Sequence, residues 1–103
     1  MSGGDEQHEA YVEAVLSAVE QVPPGRVASY GDIAEFVGRG GPRQVGRVMS
    51  LYGSAVPWWR VVRSDGRPAR GHENEALMHL RSESTPVTDD RVRMRLARYR
   101  DWS

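Results

Sequence analysis

The chain has no cysteine, no lysine, one phenylalanine and no long apolar run. Without a thiol there is no disulfide, no thiolate zinc site and no cysteine nucleophile. No stretch approaches the roughly 18 consecutive apolar residues of a membrane helix. The acidic N-terminal segment lacks the apolar region of a signal peptide, so the expectation is a cytoplasmic protein with no membrane partner. Lacking lysine, the chain draws all 14 basic residues from arginine, and these balance 14 acids to a formal net charge of zero. That total, taken alone, argues against general affinity for polyanions.

The charges that are present are unevenly spread. Residues 1–25 carry five acids and no arginine, residues 26–72 carry eight arginines against Asp32, Glu35 and Asp65, and residues 73–103 hold six of each sign. From Arg39 to Arg70 there are seven arginines and a single acid, Asp65. Zero is therefore a sum of opposed segments. At 103 residues, with 39% apolar and 27% charged, the chain fits one domain over 1–103. Met1–Asp5 is expected as a flexible tail, and 82–103 as a C-terminal extension.

Apolar residues at Val12, Val15, Leu16, Val19 and Val22 recur at helical spacing, and Pro23-Pro24-Gly25 ends that helix. Val27 and Ala28 read as a short extended stretch. Ser29 then suits the N-cap of a helix over Tyr30–Val37, with Asp32 and Glu35 in its early turns. Gly38-Arg39-Gly40-Gly41 follows a helix rather than a strand, so it reads as a turn and not as a phosphate loop. Pro42 opens a third helix reaching about Tyr52. Two short helices joined by a glycine-bearing turn form a helix-turn-helix pattern.

On the third helix Val45, Val48, Met49 and Tyr52 make a core face. Arg43, Gly46, Arg47 and Ser50 make the other, which reads either as a DNA-facing surface or as an ordinary solvated one. Further on, the Ser64-Asp65-Gly66 turn predicts a small hairpin pairing Val61–Arg63 with Arg67–Ala69. Glu73–Arg81 reads as a helix, Ser82–Asp90 as a loop. The alternation of Val92, Met94 and Leu96 with arginines favours extended structure over the helical stripe of Val92, Leu96 and Tyr99. The fold class is mainly α with a small β-hairpin, a winged-helix-like helix-turn-helix domain.

Few residues here have chemistry to offer. Trp58 and Trp59 can serve as flat platforms for bases or can fill the core. His72, Glu73, Glu75 and His79 do not share one helix face at ligand spacing. His8, His72 and His79 therefore read as surface histidines, and no metal is expected. No nucleophile-elbow pattern supports a serine triad.

Three ordered motifs are more specific: Val22-Pro-Pro-Gly-Arg-Val-Ala-Ser-Tyr-Gly-Asp-Ile-Ala, Arg43-Gln-Val-Gly-Arg-Val-Met, and Pro57-Trp-Trp-Arg-Val-Val. Over about residues 6–81 the chain resembles the C-terminal DNA-binding domain of the O6-alkylguanine-DNA alkyltransferases. Those enzymes carry Pro-Cys-His-Arg-Val where this chain has Pro57-Trp58-Trp59-Arg60-Val61. Tryptophan at the cysteine position is the mark of the alkyltransferase-like proteins, which bind alkylated guanine without repairing it.

The resemblance implies roles by position. Ser29, Tyr30, Arg43, Gly46, Arg47 and Arg60 fall on the DNA-binding side. Tyr30 matches the tyrosine that presses on the target phosphate. Arg43 matches the arginine finger that fills the hole left by a flipped base, a task that suits a planar guanidinium. Gly46 permits close approach to the minor groove. Arg60 matches the motif's arginine, in a structural or phosphate-facing role.

Trp58, Trp59, Val61 and Arg70 fall to the lesion pocket. Trp58 forms its floor, where an indole, a donor only, is no nucleophile. Three departures stand out: Trp59 replaces the family's histidine, the hinge asparagine is missing from Leu51–Ser54, and Arg67-Pro-Ala-Arg-Gly-His replaces a Gly-Tyr-bearing segment, leaving Arg70 at the rim.

The implied function is a non-enzymatic damage sensor. It would act as a monomer, without cofactor, on double-stranded DNA containing O6-alkylguanine and pass the lesion to nucleotide excision repair proteins. A sequence-reading helix-turn-helix regulator is the alternative, and an alkyltransferase with another acceptor a third possibility.

Overall fold

Local signals set the helix boundaries. The computed structural model describes residues 3–102, with side chains from Glu6 onward. Helix α1 (Gly3–Gln21) starts earlier than the sequence pattern indicates. Nothing between Gly3 and Tyr11 breaks a helix, and Glu6 and Glu9 lie toward its positive end. The expected tail over Met1–Asp5 is corrected accordingly; Met1 and Ser2 lie outside the described residues.

Strand β1 (Ala28–Ser29) leads straight into α2 (Tyr30–Val37), which ends at Gly38 in the left-handed conformation. Helix α3 (Pro42–Tyr52) follows, with Gln44 Oε1 accepting from the Gly41 N–H at 2.8 Å. Val15 and Val19 from α1 and Val22 just past its end pack with Ile33 and Ala34 from α2 and Val45 and Val48 from α3, all buried. At about 25 cal/mol per Å² of apolar surface removed from water, this cluster is the main source of the domain's stability.

After α3 come two 3-10 turns, Gly53–Ala55 and Trp58–Arg60. Strand β2 (Val61–Val62), α4 (Glu73–Ser82), β3 (Val87–Thr88), β4 (Arg91–Val92) and a one-turn helix α5 (Met94–Ala97) complete the order. Strand β2 pairs in parallel with β1, Ala28 opposite Val61.

The predicted hairpin between Val61–Arg63 and Arg67–Ala69 is not formed. Only the Arg63 N–H reaches the Arg67 carbonyl, at 2.8 Å, and the buried Pro68 has no N–H to continue a ladder. Instead Gly66 packs against β4. Its φ of +89 and the collision a Cβ would make with the Val92 carbonyl oxygen both require glycine there. The hairpin lies further on, β3 from the segment read as loop pairing across Asp89-Asp90 with β4 at the start of the run expected to be extended. The expected extended run beyond Val92 turns helical at Met94, with Leu96 exposed and Ala97 buried.

Residues 97–102 form a strap across α1, β1 and α2. Val27 bridges to Arg98, the Trp102 indole N–H donates to the Ala18 carbonyl at 2.8 Å, and Trp102 stacks on Phe36 at 5.0 Å. The strap is anchored at Asp32, which is 4% exposed. Asp32 closes a capping box with Ser29, its Oδ2 accepting from the Ser29 N–H and the Ser29 Oγ from the Asp32 N–H, at 3.1 and 3.0 Å. It also takes two hydrogen bonds from Arg98, at 2.9 and 2.5 Å.

Burial pushes the Asp32 carboxyl up, but the Arg98 and Ser29 contacts outweigh it and hold it below its ordinary 3.8. A depressed carboxyl stabilises the fold fully above its unfolded value, and the effect is lost as pH falls through the folded one. Stability should therefore be flat from about pH 7 to 5 and decline below about pH 4. Asp32→Asn should cost about 1–2 kcal/mol at neutral pH and flatten the acid limb. Denaturant melts at several pH values test both, and an unchanged acid limb in the variant would exclude Asp32 as its source.

Candidate nucleic-acid interface

Helix α3 presents its core face through Val45 and Val48 and leaves Arg43, Gln44, Arg47 and Ser50 exposed. Arg43 makes no hydrogen bond or ion pair among the described residues, so its guanidinium is available to a ligand. Tyr30, the first residue of α2, lies beside Gly46. A Cβ built on Gly46 would sit 3.9 Å from the Tyr30 ring, an ordinary contact. The fold itself could therefore accept alanine at position 46, and a requirement for glycine would have to come from whatever approaches this face. Burial raises the Tyr30 phenol above its ordinary value, with Arg63 partly opposing, so the group stays protonated and can donate.

Tyr30, Pro42, Arg43, Gly46, Arg63 and Arg70 border a shallow apolar depression. It runs into a deeper cleft of about 410 Å³, whose wall shares Tyr30, Gly46 and Arg70 and adds Met49, Trp58, His72 and Glu75. Its size is that of a small-molecule site.

The adjacent tryptophans diverge because the 3-10 turn that carries them separates successive side chains widely. Their ring centroids are 5.8 Å apart with planes at 84°. Trp58 faces the cleft, edge-on to His72 at 5.7 Å. Trp59 turns inward and stacks flat on His79, 4.0 Å between centroids at 13°. It packs against the second core cluster of Val27, Val62, Leu80, Val92 and Ala97. The pair is thus divided, Trp58 at the cleft and Trp59 half-buried against the second core cluster.

The structure brings Tyr30, Gly46, Trp58 and Arg70 to one cleft with Arg43 beside it. Arg47 is exposed on α3 but borders neither depression. Three other candidates lie apart from the cleft surface, and Arg60 takes the structural one of its two expected roles. Ser29 is 5% exposed and its hydroxyl is committed to capping α2, so it positions Tyr30 rather than meeting a ligand. Val61 is 1% exposed in β2, and Trp59 is absent from the cleft wall.

Arg60 is not phosphate-facing. Its guanidinium donates to both Glu83 carboxylate oxygens, at 3.0 and 2.5 Å, and to the Val22 carbonyl at 3.0 Å. Burial pushes the Glu83 carboxyl up, but Arg60 holds it below its ordinary 4.5. The Trp59 indole helps without making a hydrogen bond of full geometry, its Nε1 being left unpartnered. His79, expected at the surface, is half-buried under Trp59.

The sequence pattern gives no sign of Met49, His72 and Glu75 in the cleft. His72 and Glu75 stand out in it only as a metal cluster that the spacing rejects. Their three-residue spacing across the start of α4 places both at the rim. Among the described residues no group of three potential metal ligands assembles, and no helix is long and apolar enough to cross a membrane.

Residues 10–85 match the family described as the 6-O-methylguanine DNA methyltransferase DNA-binding domain. The chain is 35% identical over 60 residues to a DNA base-flipping protein of Vibrio parahaemolyticus, covering 55% of this chain and 60% of that one. It is 46% identical over 55 residues to alkyltransferase-like protein 1 of Schizosaccharomyces pombe, covering 50% and 51%. The chain thus spans about half to three-fifths of the length of these curated relatives.

The crystal structure of S. pombe Atl1 with damaged DNA containing O6-carboxymethylguanine superposes with a TM-score of 0.79 at 26% identity, covering 88% of this chain and 95% of that one. A second S. pombe complex with DNA gives 0.77 at 28% identity, covering 89% and 95%. With its helix-turn-helix core, its Trp58-lined cleft and a match over residues 10–85, the chain belongs to the 6-O-methylguanine DNA methyltransferase DNA-binding-domain family and is alkyltransferase-like within it.

Proposed function

We propose that the protein is a non-enzymatic DNA-damage sensor. It binds duplex DNA through α3 in the minor groove, rotates an O6-alkylguanine into the cleft and holds it against Trp58 without taking the alkyl group. The observation that carries this reading is the continuity between the exposed Arg43 face of α3 and a cleft of about 410 Å³ lined by the Trp58 indole. Flipping costs a few kcal/mol, and less for a badly paired lesion. Stacking on Trp58 and occupation of the vacated stack by Arg43 offset that cost. Relatives that are named base-flipping and alkyltransferase-like, and a similar fold crystallised on damaged DNA, support the same reading.

Trp58 has an N–H to donate and no lone pair basic enough to accept an alkyl carbon, and a chain without cysteine offers no thiolate in its place. The bound lesion is then passed to nucleotide excision repair proteins.

Fluorescence titration of one duplex with and without O6-methylguanine, at stated salt, tests the proposal. A preference of tenfold or more for the lesion is expected, with no change in protein mass. Equal affinities would favour a sequence-reading regulator, and a mass gain matching the alkyl group would establish transfer. Trp58→Ala should lower lesion affinity by about 1–3 kcal/mol, the worth of one stacked base, and affinity for undamaged DNA much less. Equal losses on both duplexes would place Trp58 outside the base site. Addition of the protein to a reconstituted excision system should raise incision at the lesion, and no increase would sever the repair link.

A further inference from the structure

The C-terminal arginines divide into two sets. Arg98 and Arg100 turn inward to Asp32 and Glu35. Arg93 and Arg95 are exposed and Arg91 is half-buried, and none of the three guanidiniums makes a hydrogen bond or ion pair among the described residues. Arg93 and Arg95 line an open groove with Ser64, Asp65 and Leu96.

Asp65 ties this groove to the α3 face. Its carboxyl is bonded by the Arg67 N–H and lies within the field of Arg67, Arg91 and Arg63. Arg63 in turn borders the depression beside Arg43 and Arg70. A positive band therefore runs from Arg43 and Arg70 through Arg63 and Arg67 to Arg91, Arg93 and Arg95. The nearby acids are Asp65 within the band, 3.5 Å from the Arg67 guanidinium, Glu73 at 3.9 Å from Arg63, Glu75 in the cleft that Arg70 borders, and Asp89 and Asp90 in the β3–β4 turn. The outer end, residues 91–95, contains no acid and lies beyond the matched family segment of 10–85.

We propose that this band is a second DNA-backbone track, along which Arg93 and Arg95 engage phosphates of the duplex flanking the site read by α3. The proposal rests on the DNA-binding reading above. Two unpaired guanidiniums at the surface, Arg93 and Arg95, at the end of a band that begins beside an arginine-bearing recognition helix, fit the regular negative charge of a duplex. An acidic protein surface would satisfy the same charges, but the band's continuity with the α3 face favours DNA. Phosphate pairing of this kind carries no sequence or lesion information; it adds affinity and fixes orientation.

The test is the salt dependence of binding to a duplex of about two helical turns, roughly 20 bp, for wild type and Arg93→Gln/Arg95→Gln. The slope of log K against log salt should become shallower by roughly 1 for each phosphate no longer engaged, about 2 for the pair. The fall in affinity should be the same with and without O6-methylguanine, and smaller on a duplex of about one turn. Arg93→Lys/Arg95→Lys should restore the slope, because a phosphate accepts a point charge.

An unchanged slope in the glutamine variant would overturn the track and leave the patch to an acidic protein partner. Failure of the lysine pair to restore the slope would also overturn it. Thermal melts of each variant confirm folding. The two readings fail separately: wild-type preference for the lesion tests the sensor, whereas the slope difference tests the track whether or not that preference is found.

Discussion

Arg60→Ala should destabilise the domain by about 3 kcal/mol and lower its Tm by roughly 12–20 °C. The side chains of Arg60 and Glu83 are only 12% and 15% exposed. Removing the arginine leaves a carboxylate in a site that water reaches poorly and takes a donor from the Val22 carbonyl at the end of α1. Breaking one side of a buried pair costs about 3–5 kcal/mol, and the residual exposure puts this case at the low end. The same substitution removes a guanidinium lying 5.6 Å from the Trp59 ring centre.

Replacing both charges by apolar residues, Arg60→Met with Glu83→Leu, should recover much of the stability, because neither charge then remains buried alone. Thermal unfolding of the two variants decides the point. A stable Arg60→Ala protein with weakened DNA binding would return Arg60 to a phosphate-contacting role.

Arg60 also marks where the sequence stops being informative. Its partner is 23 residues away, just past the end of α4, and no local pattern announces the pair. The same holds for Arg98 and Asp32, 66 residues apart, and for the parallel pairing of β1 with β2. Helices α2 and α3 were legible to the residue because their signals are local: Ser29 as N-cap, Gly38 as C-cap, Pro42 at the first turn. The hairpin was misplaced for the complementary reason. Gly66 is a strong turn signal, and it does turn the chain, but a buried Pro68 two residues on denies the return strand its donors.

The candidate site was legible to the same degree. Tyr30, Arg43, Gly46 and Trp58 are candidates through the motifs they share with the alkyltransferases, and the first three also sit on helices whose register is clear. Trp59, one residue from Trp58, could not be placed, because its direction depends on His79 from α4 covering it. His72 and Glu75 reach the cleft only through the docking of α4 on the tryptophan turn, a tertiary fact with no sequence signature. The C-terminal arginines looked uniform in sequence and are not. Those that find acids on α2 become a strap, and those that do not remain at the surface.

Arg43→Ala should weaken binding to O6-methylguanine DNA by about 10- to 100-fold, or roughly 1.4–2.8 kcal/mol, with a smaller effect on undamaged duplex. A flipped nucleotide leaves a gap in the stack and an unpaired cytosine, and both penalties persist unless something fills the space. Arg43 sits on the first turn of α3, beside the Tyr30 and Gly46 surface that must approach the groove closely. It has no competing partner among the described residues to hold it back.

Arg43→Lys separates the parts of this role. It keeps the charge for a phosphate but loses the planar fork that stacks on bases and pairs with an orphaned base. If Arg43 fills the stack, the lysine variant should resemble alanine on lesion DNA and wild type on undamaged DNA. If it only contacts phosphate, lysine should restore binding on both duplexes, and the flipping step would need another residue to fill the gap.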